Sequence, residues 1–292
     1  MNRSTLFFAS LSLLLLLAVG YTLWQAFATK PATPLGVSDA ALGLPGLEDS
    51  SRDLFQVASA LLYDTDTSSI TYEQNAFERR SIASITKLMT AMVALDHGID
   101  WDQEADILLE EYFYGSKMRL HPGETVTMRD LFHSSLMASA NNSTQAMVRQ
   151  IGIPEKEFIR RMNAKAIELG LEQTRFVEAT GLDPDNISTA YEVAKLAEAA
   201  FAYPDIATAS TRAEYVFTVK GSGREYRFGN SNKLIEPDQA TTLTGSKTGY
   251  LYESGYCLVV QGKDEQHHKI AVVLGSLSEP GHFQDIQRLL KL

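Results

Sequence analysis

Apolar and polar residues fall into blocks along the chain, and the blocks predict strands at both ends with helices between them. Apolar runs at residues 55–63 and 70–72 flank a polar, turn-forming stretch and predict a β-hairpin. Towards the other end, residues 243–250, 256–260 and 270–274 predict three more strands joined by turns. We therefore predict an α/β fold of the α+β type, in which one antiparallel sheet is built from both chain ends and covered by helices.

Helical spacing of apolar residues predicts four helices between these strands and one after them. The predicted bounds are residues 85–98, 127–137, 154–170, 189–203 and 281–292. Thr127 with Asp130, and Thr189 with Glu192, have the spacing of capping boxes at helix starts. Pro154 suits the first helical position, and a glycine follows two of the predicted helices.

The N-terminal segment has the properties of a membrane helix. Residues 6–27 form a run of 22 residues without a charge, and such a helix is about 33 Å long, enough to span a bilayer core. Tyr21 and Trp24 lie near its outer end, and Arg3 precedes it, which predicts export of everything that follows. A signal peptide cleaved after Ala28 is the alternative.

The chain therefore divides into three predicted segments. Residues 1–28 form a membrane anchor or signal segment, residues 29–53 form a flexible linker rich in Pro, Gly, Ala and Ser, and residues 54–292 form the folded domain. That domain is expected on the extracytoplasmic side of the membrane, held there by the N-terminal helix unless the segment is cleaved.

Composition excludes several classes of protein. With 45% hydrophobic and 21% charged residues, the chain is neither disordered nor collagen-like. Its 26 basic and 36 acidic side chains give a net charge of −10, which argues against nucleic-acid binding. Cys257 is the only cysteine, which excludes an intrachain disulfide, and six scattered histidines suggest no metal cluster. We therefore predict no metal and no cofactor.

Three short patterns carry the candidate chemistry, and the first is Ser84 with Lys87 at the start of a predicted helix. Three residues along a helix make about one turn, so the lysine comes next to the serine. A serine needs a base to become a nucleophile, and burial favours the neutral amine that can act as one. The alternative is a capping serine beside an unrelated exposed lysine.

The other two patterns follow further along the chain. Ser139 and Asn141 place a hydroxyl and a carboxamide two residues apart, where they can relay a proton and hold a substrate amide, although turns often contain these residues. Lys247, Thr248 and Gly249 occur together at a predicted strand edge. A lysine beside a hydroxyl suits a carboxylate, and the glycine lets a ligand backbone approach; the alternative is a strand that ends in a turn.

Together the three patterns match the ordered motif set of the penicillin-binding proteins and class A β-lactamases. The surrounding sequence, including ITKLMTAMVAL, FVEATGLDPDNISTAYEVAKLA and TGSKTGYLYESGYCLVV, resembles the low-molecular-mass penicillin-binding proteins that are D-alanyl-D-alanine carboxypeptidases. The resemblance extends over residues 58–290. It implies a bacterial enzyme of the serine β-lactamase-like fold that hydrolyses peptidoglycan stem peptides and is inhibited by β-lactams.

The resemblance also implies roles for individual residues. Ser84 would attack the carbonyl between two D-alanines and form an acyl-enzyme, while Lys87 would accept its proton. The backbone N–H groups of Ser84 and Tyr250 would form the oxyanion hole. Ser139 would pass a proton to the leaving D-alanine, with Lys247 supporting it electrostatically.

Substrate binding is assigned in the same way, with two departures from the family pattern. Asn141 would hold the substrate amide, and Thr248, next to Gly249, would hold the terminal carboxylate. Tyr250 stands where relatives often have histidine, which a backbone contact tolerates. Leu277 lies in a stretch where some relatives carry an arginine for that carboxylate, so we expect weaker binding of the carboxylate end and a gain in kcat/KM from Leu277→Arg.

Three other functions share these motifs. A D,D-endopeptidase that cuts peptidoglycan crosslinks uses the same catalytic residues. A membrane-tethered sensor of β-lactams or peptidoglycan would be acylated without turnover. A class A β-lactamase also needs a glutamate in an E-x-x-x-N pattern, and the chain has none between residues 141 and 247. Among these, carboxypeptidase activity is our prediction from the sequence.

The N-terminal segment yields a first prediction. We expect the mature protein to keep residues 1–27 and to fractionate with membranes, because an uncharged run of 22 residues with interfacial Tyr21 and Trp24 is long for a signal peptide. N-terminal sequencing of the protein isolated from cells checks this. A mature chain that begins at Thr29 would show cleavage instead.

Overall fold

The two ends of the chain meet in one antiparallel sheet, as the sequence pattern predicts. The computed structural model describes residues 55–111, 120–236, 242–263 and 267–291. The strands in these ranges are β1 (Ser59–Asp64), β2 (Ser69–Gln74), β3 (Arg80–Ser81), β4 (Glu104–Asp106), β5 (Thr125–Thr127), β6 (Ile187–Ser188), β7 (Glu214–Thr218), β8 (Glu225–Gly229), β9 (Leu243–Leu251), β10 (Gly255–Lys263) and β11 (His268–Ser276). Five of them form a sheet in the order β2-β1-β11-β10-β9, and the other six form two-stranded pairs.

Helices occupy most of the middle of the chain. Within the described ranges they are α1 (Thr86–His97), α2 (Met128–Met137), α3 (Asn141–Gln150), α4 (Glu155–Glu168), α5 (Ala190–Phe201), α6 (Pro204–Thr211) and α7 (Glu279–Leu289). A 3-10 helix of one turn, Ala83–Ile85, leads directly into α1. The predicted α+β arrangement of an antiparallel sheet and covering helices is therefore confirmed.

The central strands are buried on both faces, which explains why they read as continuous apolar runs. Side chains alternate across a strand, so Leu61 and Val272 face a core formed with α1 and α5. Leu62 and Val273 face the opposite core, which α7 completes with Phe283 and other apolar residues. The sheet thus lies between two helical layers, and β9 is left at its edge.

Most predicted helix boundaries agree with the structure, and the exceptions have local causes. Thr127 and Asp130 form the predicted capping box. Glu192 does not complete a second one, because its carboxylate accepts hydrogen bonds from the Gln173 backbone N–H and the Thr174 hydroxyl instead. Pro154 is the N-cap rather than the first helical residue. The sequence pattern did not predict α3, α6, the β7–β8 hairpin or the short β3–β6 and β4–β5 pairs.

The predicted membrane segment is not part of the described structure. The anchor at residues 6–27, the linker at 29–53 and the boundary at residue 54 all lie outside the described residues and stay predictions. Across the ranges that the structure does describe, every helix is too short or too polar to span a membrane.

Close packing of α5 on β9 generates a prediction about stability. A Cβ added at Gly245 of β9 would lie 2.2 Å from Cγ of the buried Phe201 ring. We expect Gly245→Ala to lower the free energy of unfolding by about 1–3 kcal/mol, as overpacking usually does. Thermal unfolding followed by circular dichroism checks this, with a fall in Tm of about 2–4 °C expected per kcal/mol.

Gly262→Ala is the matched control. It adds the same methyl group to β10, where the nearest atom would be 3.7 Å away, an ordinary contact distance. An equal loss of Tm in both variants would mean that the close approach of Phe201 to β9 is not the cause.

Candidate active site

The candidate nucleophile lies on a tight turn that is held from two sides. Ser84 is in the 3-10 turn before α1, and the residue before it, Ala83, has a φ of 46°, which is unusual for a residue with a side chain. A Cβ at Gly181 would come within 2.1 Å of the Ala83 carbonyl oxygen, and one at Gly249 would be 3.1 Å from the Ser84 nitrogen. Two glycines therefore let neighbouring backbones press against this turn.

Lys87 is fully buried directly beside the serine hydroxyl. Its Nζ lies 2.9 Å from Ser84 Oγ and 2.7 Å from Asn141 Oδ1, and it also donates to the Thr180 carbonyl oxygen. The two amide oxygens can only accept hydrogen bonds. They therefore take both N–H groups of a neutral lysine, and the remaining lone pair points to the Ser84 hydroxyl.

Burial also makes the neutral form of Lys87 accessible. Desolvation lowers its pKa from 10.5 to about 7, and the negative charge of Glu178 acts in the opposite direction. A substantial fraction of the amine is then uncharged near neutral pH. The arrangement therefore provides a base within hydrogen-bond reach of the nucleophile, which is what serine activation requires.

A second buried lysine serves the other serine of the cleft. Lys247 Nζ donates to Ser139 Oγ at 2.9 Å and to the Thr248 carbonyl at 2.8 Å. Burial is the main reason why the Lys247 pKa lies well below its usual value, and the nearby charge of Lys87 lowers this pKa further. Because the Ser139 oxygen accepts a hydrogen bond from Lys247, the hydroxyl proton of Ser139 is free to be donated to another group.

The remaining predicted site residues lie around these two pairs. Thr248 Oγ1 is 2.6 Å from Ser231 Oγ, so a hydroxyl from the segment after β8 joins the site. Asn141 uses its oxygen on Lys87, which leaves its amide N–H₂ group for other partners. Tyr250 is half exposed and packs against Tyr256 in a tilted arrangement, with ring centroids 4.3 Å apart.

All eight predicted site residues come together at one cleft. Its volume is about 790 Å³, within the size range of small-molecule sites. The six predicted residues that line it are Ser84, Ser139, Asn141, Thr248, Gly249 and Tyr250. The two lysines lie buried beneath it. Thr180, Glu178 and Ser231 were missed, and Thr180 contributes only a backbone carbonyl, which no side-chain pattern can reveal.

The expectation for Leu277 is wrong. Its side chain is 88% exposed and lines a separate cavity of about 360 Å³ together with Gln56 and Arg288. Strand β11 ends at Ser276, and Leu277 follows it on the way to α7, so its side chain is not directed by the strand. The proposed gain from Leu277→Arg has no structural basis.

One group outside the cleft has the chemistry of metal ligands. Oxygen or nitrogen atoms of Asp64, Asp66 and His267 lie within 4.8 Å of one another. The Asp64 carboxylate accepts from the Thr67 backbone N–H at 2.8 Å and contacts His267 Nδ1 at 3.2 Å. These contacts give the Asp64 carboxylate partners within the protein. The candidate catalytic residues are elsewhere.

A strained serine turn, a buried lysine beside it and a second serine–lysine pair are the arrangement of a serine hydrolase. Comparison with known proteins identifies the family. The sequence profile described as D-alanyl-D-alanine carboxypeptidase matches residues 48–278. The chain belongs to this family, and the resemblance seen in its motifs is confirmed.

Individual relatives carry different activity names. The chain is 34% identical to a D-alanyl-D-alanine endopeptidase of Pseudomonas aeruginosa, covering 79% of this chain and 75% of that protein. It is 32% identical to the Escherichia coli protein of the same name, covering 95% and 85%. It is also 32% identical to the Bacillus subtilis carboxypeptidase DacF, covering 80% and 61%.

Solved structures show the same fold. The DD-transpeptidase of Streptomyces superposes with a TM-score of 0.75 at 26% identity, covering 81% of this chain and 96% of that one. A penicillin-binding protein of Listeria monocytogenes in its ampicillin-bound form gives a TM-score of 0.70 at 25% identity, covering 85% and 98%. The chain is therefore a serine peptidase of the penicillin-binding protein fold.

Proposed function

We propose that this protein hydrolyses the peptide bond that follows D-alanine in peptidoglycan stem peptides. Ser84 Oγ attacks the D-alanine carbonyl carbon, and its proton passes to Lys87 Nζ. The C–N bond then breaks as Ser139 donates its hydroxyl proton to the leaving amine, and the proton held by Lys87 replaces it on Ser139. Water hydrolyses the resulting ester. The contact set of Lys87 Nζ carries this proposal, because two fixed acceptors leave its lone pair for Ser84.

The edge of the sheet supports an extended peptide as substrate. β9 is the last strand of the five, and it carries Lys247, Thr248 and Gly249 beside Ser84. An edge strand presents unpaired backbone groups, which an extended peptide can use as an added strand. The backbone N–H groups of Ser84 and Tyr250 then serve as donors to the oxyanion, as the family resemblance implies.

We further propose that crosslinks, rather than terminal D-alanine, are the preferred substrate. The cleft continues from Thr248 to Tyr250, Tyr256 and the first turn of α7, which gives room for a second peptide. Two relatives with high coverage are named endopeptidases. Carboxypeptidase activity, our prediction from the sequence, is the alternative outcome of the test below.

The environment of Glu178 argues against efficient β-lactamase activity. It lies 2.6 Å from Asn186, although the two residues do not have the E-x-x-x-N spacing. Both of its carboxylate oxygens already accept two hydrogen bonds each, so neither is available to activate a water. Among the described residues that line the cleft, Glu279 is the only carboxylate. We expect a β-lactam ester on Ser84 to be long-lived.

We also propose that the enzyme works at the extracytoplasmic face of the bacterial cell membrane. The support is the uncharged run at residues 6–27 and the single basic residue before it. Its substrate and β-lactams are found in that compartment, so the proposed location and activity agree. Fractionation and N-terminal sequencing test it, as described above.

The proposed mechanism predicts the pH dependence of acylation. Lys87 accepts a proton only when neutral, so the rate of labelling by a fluorescent penicillin should rise with pH through about 7 and level off above it. Ser84→Ala should abolish labelling, and Lys87→Ala should suppress it while the fold is kept. A rate that levels off only near 10.5, the ordinary lysine value, would contradict a buried neutral base.

Muropeptide digestion tests the choice of bond. The full-length protein in detergent is incubated with a crosslinked muropeptide dimer or a pentapeptide monomer, and products are followed by mass spectrometry. We expect dimers to be converted to monomers at least about tenfold faster than D-alanine is released, a difference of about 1.4 kcal/mol in activation free energy. Ser84→Ala is the control. Faster release of D-alanine from the pentapeptide would establish a carboxypeptidase instead.

A further inference from the structure

The loop between α4 and α5 contains a carboxylate that gathers four hydrogen bonds. Glu178 Oε2 accepts from the Thr180 backbone N–H at 2.7 Å and from its hydroxyl at 2.5 Å. Glu178 Oε1 accepts from the Gly181 backbone N–H and from Asn186 Nδ2 at 2.6 Å. The side chain is only half-buried, yet it fixes both ends of the segment 178–186.

This segment clamps the start of α1 around the catalytic lysine. The Thr180 carbonyl accepts a hydrogen bond from Lys87 Nζ, and the Ala179 carbonyl accepts one from Thr90 one turn further along the helix. Asn186 reaches the turn before the helix, where its carbonyl accepts from the Ile82 backbone N–H at 3.1 Å. The Glu178 carboxylate therefore determines where the Thr180 carbonyl lies relative to Lys87.

Glu178 also influences Lys87 through its charge. The charged groups that face Lys87 from the surrounding elements are Glu178 on this loop and Lys247 on β9. Burial favours the neutral lysine, and the glutamate charge favours the ammonium form. Ser84 and Asn141, the other side chains in contact with Nζ, are uncharged.

We infer that Glu178 is a positioning residue for catalysis, which holds the Thr180 carbonyl on Lys87 Nζ and stabilises the proton that Lys87 accepts from Ser84. This inference rests on the proposed function, in which Lys87 is the base. Glu178 contacts no substrate in this role. It acts only through the loop geometry and the field at Lys87.

The pH profile of acylation separates this role from a merely structural one. Full-length wild-type protein and Glu178→Gln are labelled with a fluorescent penicillin across a pH series, and the rate constant is extracted at each pH. We expect the plateau rate to fall roughly tenfold or more, because the lysine is less well placed. The rising limb of the profile, the pH range in which the labelling rate increases, should move to lower pH. The reason is that the glutamate charge, which favours the ammonium form of Lys87, is gone.

Two variants that keep a negatively charged side chain at position 178 serve as controls. Thr180→Val removes one hydrogen bond to Glu178 but no charge, so its rising limb should stay at the wild-type pH. Glu178→Asp keeps the charge on a shorter side chain, so its plateau should fall while its limb stays near the wild-type position. Glu178→Asp also keeps the inference testable if Glu178→Gln does not fold.

The possible results are distinct. If the wild-type protein is not acylated, the proposed function itself fails. If the wild type is acylated but Glu178→Gln has an unshifted limb, only the inference about Glu178 fails. The inference is also overturned if Thr180→Val moves the limb as far as Glu178→Gln does, or if the Glu178→Asp limb leaves the wild-type position.

Discussion

The placement of one buried amine in the protein interior is the constraint on which the active site depends. Lys87 lies under the nucleophile with no exposed surface, and an isolated buried charge costs several kcal/mol. Two amide oxygens satisfy its N–H groups, one from α3 and one from the loop before α5. The elements that supply these oxygens, α3 and the loop before α5, must therefore pack on α1 if the amine is to keep its hydrogen bonds.

The second lysine affects how strongly Lys87 holds a proton. Lys87 and Lys247 are both buried and close enough for the charge of one to disfavour the charge of the other. In the proposed mechanism, uptake of the Ser84 proton by Lys87 raises the repulsion between the two lysines, and loss of that proton relieves it. Ser139, which accepts from Lys247, is placed to hand a proton to the leaving amine. The pair thus keeps the proton on Lys87 from being held too strongly.

Features that depend on local sequence could be predicted, whereas those formed by distant backbone could not. The runs of apolar residues predict the five strands of the main sheet. The contact between Ser84 and Lys87 follows from helix geometry, because three residues make about one turn. The Thr180 carbonyl lies 93 residues from Lys87 and carries no side-chain signal. Leu277 was misplaced because it follows the end of a strand, where alternation no longer determines direction.

Strain in the backbone links the stability of the fold to its chemistry. Ala83, next to Ser84, and Ser139 both have positive φ values, 46° and 56°, and such conformations cost about 1–3 kcal/mol each. Neither turn would persist alone. Gly181 and Gly249 allow neighbouring backbone to pack against the first turn, and Lys247 binds the second. The packed sheet and helices therefore stabilise two strained turns, which hold Ser84 and Ser139 in the geometry that proton transfer requires, and a change that loosens β9 should disturb both serines together.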